Sequence, residues 1–511
     1  MILRVSRNTV RRLLFGLLFA GASVLAALCL IPSVQKLDLS SGRACMFKIR
    51  ERRLTPFSKA FSSTLPVLEI VTAADILPAP DQEPVPAVMR VFDQPGEKRL
   101  TDQPRALLPF VSVRYRGAST MTAHLRQHSI RMKILDDQQK PSRFNLCGFP
   151  PDDDFALIAT FQDRSLIRDR LAYELARPLF PWTPHARFAE VFIRKPYGHL
   201  NEQSYMGVYL AVEKISVAPG RISMGDLVIT NVSDGLDGGG WMVSRDRAAS
   251  NQPVFWVGDV SYSIVAPGAR VITPEAVEFI RRDFSRFHKL IEDDSQSDDL
   301  FRLLDMDSFV NMMLLQEFLK NRDAFYFSAY YYRDAGGRLF AGPPWDYNLS
   351  MGNPLSHPGP EGFLIPRRPF AGALLRNPRV FELYRQRWRE LRRPGAAFSD
   401  ERILDLVNAL VRELDPAAAA RHYARYEELR NPRRTFVFTI NYNATSCEQH
   451  VRIVRDFLLR RARWLDQALM AAQKPEDLLS HEMDIVEAAS HDAGASWWQE
   501  EESPPLRGVR R

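Results

Sequence analysis

Residues 308 to 321, SFVNMMLLQEFLKN, form a run that is apolar on nearly every side of a helix. A helix without a polar face has to be wrapped, so this segment demands a large domain around it. The chain can supply one: 511 residues, 45% hydrophobic and 25% charged, is ordinary globular composition with room for two lobes. The segment after the helix narrows the choice further. NRDAFYFSAYYYRD reads as an aromatic strand, Gly336 and Gly337 as a turn, RLFAG as a second strand, and PPWDYN as the exit. A hairpin returns the chain to where it started, so Asp323 before it and Asp346 after it, 23 positions apart, arrive at one edge. Two carboxylates at one mouth can hold Mg²⁺.

Upstream, Val111, Val113 and Tyr115 alternate, as do Ile130, Met132 and Ile134, the period of half-buried strands. AEVFI (189 to 193), a turn with Pro196 and Gly198, and YMGVYLAVEKI (205 to 215) read as a hairpin. Between these strands, Ile167, Leu171, Leu175 and Leu179 recur every four residues, with Asp163 placed to cap the helix. Downstream, FELYRQRWRELRR, SDERILDLVNALVREL and CEQHVRIVRDFLLRRARWLDQAL carry a 3.6-residue period. The fold class expected is α+β, a domain over 65–390 with an N-lobe at 65–235 and a C-lobe from 236, continued by helices over 391–472. The acidic segment 473–511 reads as a disordered tail.

At the N-terminus, Arg4, Arg7, Arg11 and Arg12 precede any acidic residue, and Leu13 to Ile31 is an apolar run of nineteen residues. That length spans a bilayer, and the arginines orient it with residues 1–12 in the cytoplasm. The expectation is a single-pass transmembrane helix at 13–31 in the cell membrane, a linker over 32–64, and the main domain on the extracytoplasmic side. The alternative is a cleaved signal peptide, although the run is longer than a usual signal core and no small-x-small site closes it.

A net charge of +7, from 68 Lys+Arg against 61 Asp+Glu, is too small an excess to argue for nucleic acid as a partner. Four cysteines, Cys29, Cys45, Cys147 and Cys447, form no CxxC and exclude a disulfide scaffold, leaving room for one bridge among the last three. There is no GxxxxGK[ST], no GxGxxG after a strand, no HExxH and no GxSxG. The ten histidines fall into no metal-ligand spacing.

RGAST (116 to 120), SLIRDRLAYELAR (165 to 177), AEVFI with MGVYLAVEKI, EFLKNRDAF (317 to 325) and GPPWDYNLSMGN (342 to 353), in that order, resemble the CotH kinase family, the spore-coat-protein-H-like atypical kinases. The resemblance covers roughly residues 65 to 470. It implies a bilobal protein-kinase-like fold that binds ATP with Mg²⁺ and phosphorylates Ser or Thr of a protein substrate. By the same resemblance Asp323 is the catalytic-loop aspartate, Asp346 the metal-binding aspartate, and Lys133 the strand lysine that reaches phosphates. Arg116 and Gly117 fall on the family's RG loop, where a glycine lets backbone approach phosphate.

The chain departs from the family pattern at three places. Arg126, Gln127 and His128 stand where a lysine pair is usual, Asn348 replaces a second aspartate among the metal ligands, and Ser328 stands where many kinases place a metal-binding Asn. Arg168 is evenly placed between a phosphate contact and a structural ion pair. Glu213, at the end of the long strand, is either a nucleotide contact or a salt bridge. Plainer roles stand beside the rest: Asp323 ending a helix, Asp346 sitting under Trp345, Lys133 facing solvent. Two functions emerge as expectations: a membrane-anchored kinase acting outside the cytoplasm, or a kinase-fold scaffold that has lost turnover.

Overall fold

The computed structural model describes residues 53–117, 125–218, 220–225, 239–246, 252–269, 271–293, 295–354, 356, 358–431, 439 and 442–479. Seven strands close into a barrel: β1 Val67–Thr72, β2 Val85–Phe92, β3 Ala106–Tyr115, β4 Ile130–Ile134, β5 Asp154–Ala159, β6 Ala186–Arg194 and β7 Tyr205–Glu213, in the order β7-β5-β4-β3-β2-β1-β6. Neighbours are antiparallel except β1 and β6, which run parallel from Val67 opposite Glu190 to Val71 opposite Arg194. That contact turns the expected half-buried sheet into a closed barrel, and closure removes both sheet edges.

Side-chain alternation then divides the two faces. Ile130, Met132, Ile134, Tyr209 and Ala211 fill the barrel, while Val208, Leu210 and Val212 pack outward against the helical part. A helix α1, Arg168–Ala176, leaves β5 and returns to β6. Asp163 caps it from further back than expected, its Oδ2 accepting the Arg168 N–H at 2.8 Å, while Ile167 occupies the N-cap position.

A second, five-stranded antiparallel sheet comes next: β8 Trp241–Arg245, β9 Val254–Val257, β10 Val260–Ala266, β11 Ala329–Arg333 and β12 Phe340–Ala341, in the order β9-β10-β8-β11-β12. Helix α2, Pro274–Asp293, covers it. Asp283 of α2 accepts from Trp241 Nε1 at 2.9 Å and from Arg333 Nη1 at 2.7 Å, which fixes helix to sheet. Helix α3, Met306–Leu319, is buried at every residue except Asp307, as its apolar circumference requires. It ends because Lys320 turns left-handed (φ 50). Helices α4 Pro378–Leu391, α5 Asp400–Leu414, α6 Pro416–Arg425 and α7 Cys447–Ala471 pack round α3 and against the barrel.

The barrel is locked to α6 through buried polar groups. Glu190 of β6 accepts from Arg421 at 2.7 and 2.8 Å and from the Tyr205 hydroxyl at 2.6 Å. Beside it, His422 Nδ1 accepts the Val208 N–H at 3.1 Å. Gly207 (φ 88) makes this approach possible, since a Cβ there would lie 2.7 Å from His422 Nδ1.

The placement of the chain in a cell membrane with its domain outside is corrected: among the described residues no helix is long and apolar enough to cross a membrane, and the segment 13–31 lies outside them. Residues 1–12, expected to be a cytoplasmic tail, and 480–511 of the expected disordered tail also lie outside the described residues. The start of that tail is ordered, since Pro475–Leu479 forms a short 3₁₀ helix. Part of the segment read as a linker is folded as well: Phe57 and Phe61 join a ring cluster with Phe192 and Tyr205 on the barrel. Cys147 and Cys447 are both free thiols.

Candidate active site

The loop after α3 and the loop after β12 are tied together by backbone. The Arg322 N–H reaches the Leu349 carbonyl at 3.0 Å, Met351 N–H the Leu319 carbonyl at 2.7 Å, and Asn321 Nδ2 the Asp346 carbonyl at 3.1 Å. Asn321 Oδ1 in turn accepts the Asp323 N–H at 3.2 Å. This ladder brings Asp323 and Asp346 to one edge, as the hairpin argument required.

Both loops hold backbone in the left-handed region without glycine. Lys320, Phe325, Ser328, Asp346 and Met351 have φ between 48 and 64. Such conformations cost roughly 1–2 kcal/mol each and concentrate where a site dictates geometry.

Two further carboxylates join them. Asp169, on the first turn of α1, accepts the Tyr347 N–H at 2.6 Å and so aims the loop carrying Asp346. Asp246 directly succeeds β8 and accepts the Ser328 hydroxyl at 3.4 Å. Burial and then the charges of Asp169, Asp323 and Asp246 push the Asp346 carboxyl well above the usual carboxylate range, with Arg116 opposing them. Burial likewise pushes Asp169 up to about 7. The four residues are all half-buried, which describes a mouth rather than a core. Asp169 and Asp246 escaped sequence reasoning. Asp169 lies inside a motif read for its apolar stripe, its family resemblance and Arg168, and Asp246 is brought in by sheet pairing alone.

The cationic candidates sort into different places. Arg116 stacks over Trp345 at 5.2 Å and belongs to the mouth, with Gly117 (φ 85) exposed beside it. Lys133 sits on the barrel, 3.6 Å from Asp153 and 3.8 Å from Asp154. The Arg168 guanidinium is engaged inside the protein: it pairs with Asp163 and donates to the carbonyls of Ser350 (3.1 Å) and Met351 (3.3 Å). Of its two sequence roles the structure displays the ion pair, and that pair braces the Asp346 loop from below. Glu213 is fully buried between His185 (2.7 Å) and Arg221 (3.1 Å), the salt-bridge alternative.

The residues at the family departures are also engaged. Gln127 is buried and bridges Thr160 N–H, Met206 O and Val208 O, and Arg126 pairs with Glu428 at 3.2 Å. Asn348 turns its amide to Gln162 at 3.4 Å.

Among the described residues no three His, Cys, Asp or Glu side chains stand as a ready-made metal cage. An ion that is shared with phosphates needs only one or two carboxylates from protein, and Asp346, crowded by three other acids, has the electrostatic deficit that a cation relieves.

The CotH kinase protein family matches residues 113–465, well over half of the chain. The chain belongs to the CotH kinase family. No curated protein matches it. The family match begins on β3, so the first two barrel strands precede it.

Proposed function

We propose that this CotH-family chain is a phosphotransferase that moves the γ-phosphoryl group of a nucleoside triphosphate, ATP in the family pattern, to a Ser or Thr hydroxyl of a protein substrate. The observation that carries the reading is the convergence of Asp323, Asp246 and Asp169 on Asp346, held at φ 64. A charge deficit of that kind suits a cation bridging to phosphates, and family membership makes phosphoryl transfer the natural chemistry. The reading carries with it the bilobal kinase arrangement, the barrel and the α3-centred part taking the two lobes.

In this reading Asp346 would hold Mg²⁺, with the Asn348 and Ser328 side chains as neutral neighbours. The Mg²⁺ would neutralise phosphate charge. Asp323, half-buried at the lip, orients the acceptor hydroxyl and takes its proton as the new O–P bond forms and the β–γ bridging bond breaks, releasing the nucleoside diphosphate. Arg116, over Trp345, lies where a cation can meet phosphate charge.

The test is incubation of the full chain with γ-labelled ATP and Mg²⁺ and an acceptor protein, alongside Asp323→Asn and Asp346→Asn. Label transferred by the parent and lost in both variants is the expected result; equal labelling by parent and variants refutes the assignment. A second reading is a nucleotide-binding scaffold without turnover. It is favoured by Asn348 and Ser328, which replace stronger ligands and are turned to Gln162 and Asp246. Nucleotide binding without label would select it.

A further inference from the structure

The outer face of the barrel beside the mouth gathers three cations on one carboxylate. Arg131 and Lys133 stand on β4 two residues apart, on the face opposite Ile130, Met132 and Ile134, which fill the barrel. Lys133 is cross-strand from Asp154 of β5. Strand β7 pairs with β5 on the other side, with Glu213 opposite Phe155, so the next residue, Lys214, emerges over the same carboxylate.

The contacts bear this out. Asp154 accepts from Arg131 Nε at 3.0 Å and Nη2 at 2.6 Å, lies 3.3 Å from Lys214 Nζ, and is 3.8 Å from Lys133 Nζ. Asp153, 3.6 Å from Lys133, is the second acid. One carboxylate, Asp154, therefore serves all three cations, while the neighbouring Asp152 is taken by Arg221 at 2.6 Å. A purely structural ion pair needs no such crowding, because like charges this close oppose one another.

The fold also aims the cluster at the carboxylate mouth. Arg116 comes directly after β3, the neighbour of β4, and stacks over Trp345, the residue before Asp346. Its charge is felt both by Asp346 on one side and by Lys214 on the other. Burial lowers the Lys214 ammonium from the ordinary lysine value, Asp154 opposes that, and Arg131 and Arg116 add to it. About a third of the Lys214 side chain, 35%, remains exposed. A cation crowded by other cations and open to solvent is one that an incoming anion relieves.

We propose that Lys214, with Arg131 and Lys133 gathered on Asp154, receives the α- and β-phosphates of the nucleoside triphosphate, and that Asp154 is the positioning residue that holds the three cations together. This rests on the phosphotransferase reading of the same mouth. It makes Lys214 the principal phosphate lysine, with Lys133, the residue that sequence singles out, in support at longer range from Asp154.

The test is calorimetric titration of the full chain, Lys214→Ala, Lys214→Arg and Lys133→Ala with Mg²⁺-ATP, adenosine and inorganic tripolyphosphate. Lys214→Ala is expected to weaken ATP and tripolyphosphate by about tenfold or more, the size of one lost charge-assisted hydrogen bond, and to leave adenosine unchanged. Lys214→Arg is expected to stay within about threefold of the parent, and Lys133→Ala to lose less than Lys214→Ala. Should Lys214→Ala fail to fold, Lys214→Met keeps the apolar stem over Asp154 without the charge and carries the same expectation.

Undiminished tripolyphosphate binding by Lys214→Ala, or an equal loss of adenosine, overturns the proposal. A parent that binds tripolyphosphate through Lys214 but not ATP supports the cluster as a polyphosphate site and overturns the nucleotide reading. A parent that binds neither overturns both.

Discussion

Replacing His422 with glutamine keeps a hydrogen-bond acceptor beneath the Val208 N–H and removes a proton-binding group from the barrel–α6 lock. His422 is fully buried, and its Nδ1 accepts from Val208, so its single ring proton sits on Nε2. A second proton on Nδ1 would set two donors face to face. Burial alone already depresses the imidazole to about 3. The unfolded chain, with an ordinary value near 6.5, takes up that proton more readily, so stability falls as pH drops through 6.5 toward 3.

The magnitude comes from the gap. At pH 4.5 the unfolded state is favoured by about two pH units of binding, roughly 3 kcal/mol, against nearly nothing at pH ~7.5. Loss of ring packing against Tyr426, 5.0 Å away, should cost the glutamine variant about 1–2 kcal/mol at the higher pH. Urea unfolding followed by tryptophan fluorescence at pH of about 7.5, 5.5 and 4.5 should show the parent ahead at the top of that range and the variant level or ahead at the bottom. Parallel loss of stability in the two proteins across that range would falsify the argument.

Other outcomes are fixed by the same geometry. Gly207→Ala forces a left-handed alanine whose Cβ meets His422 Nδ1 at 2.7 Å, and should cost at least about 2 kcal/mol in thermal or urea unfolding. Arg168→Met leaves the buried Asp163 without its cation and should cost about 3–5 kcal/mol, while Arg168→Lys, which keeps the charge, should cost less in the same assay. Trp241→Phe deletes the 2.9 Å bond to Asp283 and should cost about 1–2 kcal/mol, read as a shift in denaturation midpoint at unchanged slope. Asp346→Asn, by relieving repulsion among four acids, should hold or raise the melting temperature of the metal-free chain while abolishing label transfer; a fall in melting temperature would count against the carboxylate cluster.

Local pattern made much of this legible. The all-apolar run over 308–321 announced α3, and the alternations at 111–115 and 130–134 announced β3 and β4 on the correct faces. Asp323 and Asp346 were readable because a hairpin is a short-range device that returns the chain near its start. Barrel closure was not, since the β1–β6 pairing joins residues 67–71 to 190–194, and no period in either segment encodes a partner that remote. Asp169 and Asp246 were hidden for the same reason, their convergence being a product of α1 and β8 packing. Arg168 was undecidable because an arginine on a helix carries no mark of what it will meet, and only the fold supplies Asp163 and two carbonyls. Lys214 stood in plain view beside Glu213 but looked like the end of a strand.

The parallel seam between β1 and β6 also governs how the protein can be cut. A fragment trimmed to the family match, residues 113–465, loses β1, β2 and most of β3. It would keep β6 with one side bare and, at the other end of the sheet, only residues 113–115 of β3 against β4, two open edges where the intact barrel has none. Exposed edges of apolar strands pair with copies of themselves, so such a fragment should aggregate as it folds. The stave that arrives first from the ribosome is thus the one that must wait for β6 before the barrel is sealed, and dissection of this chain has to begin ahead of Val67 rather than where the family resemblance begins.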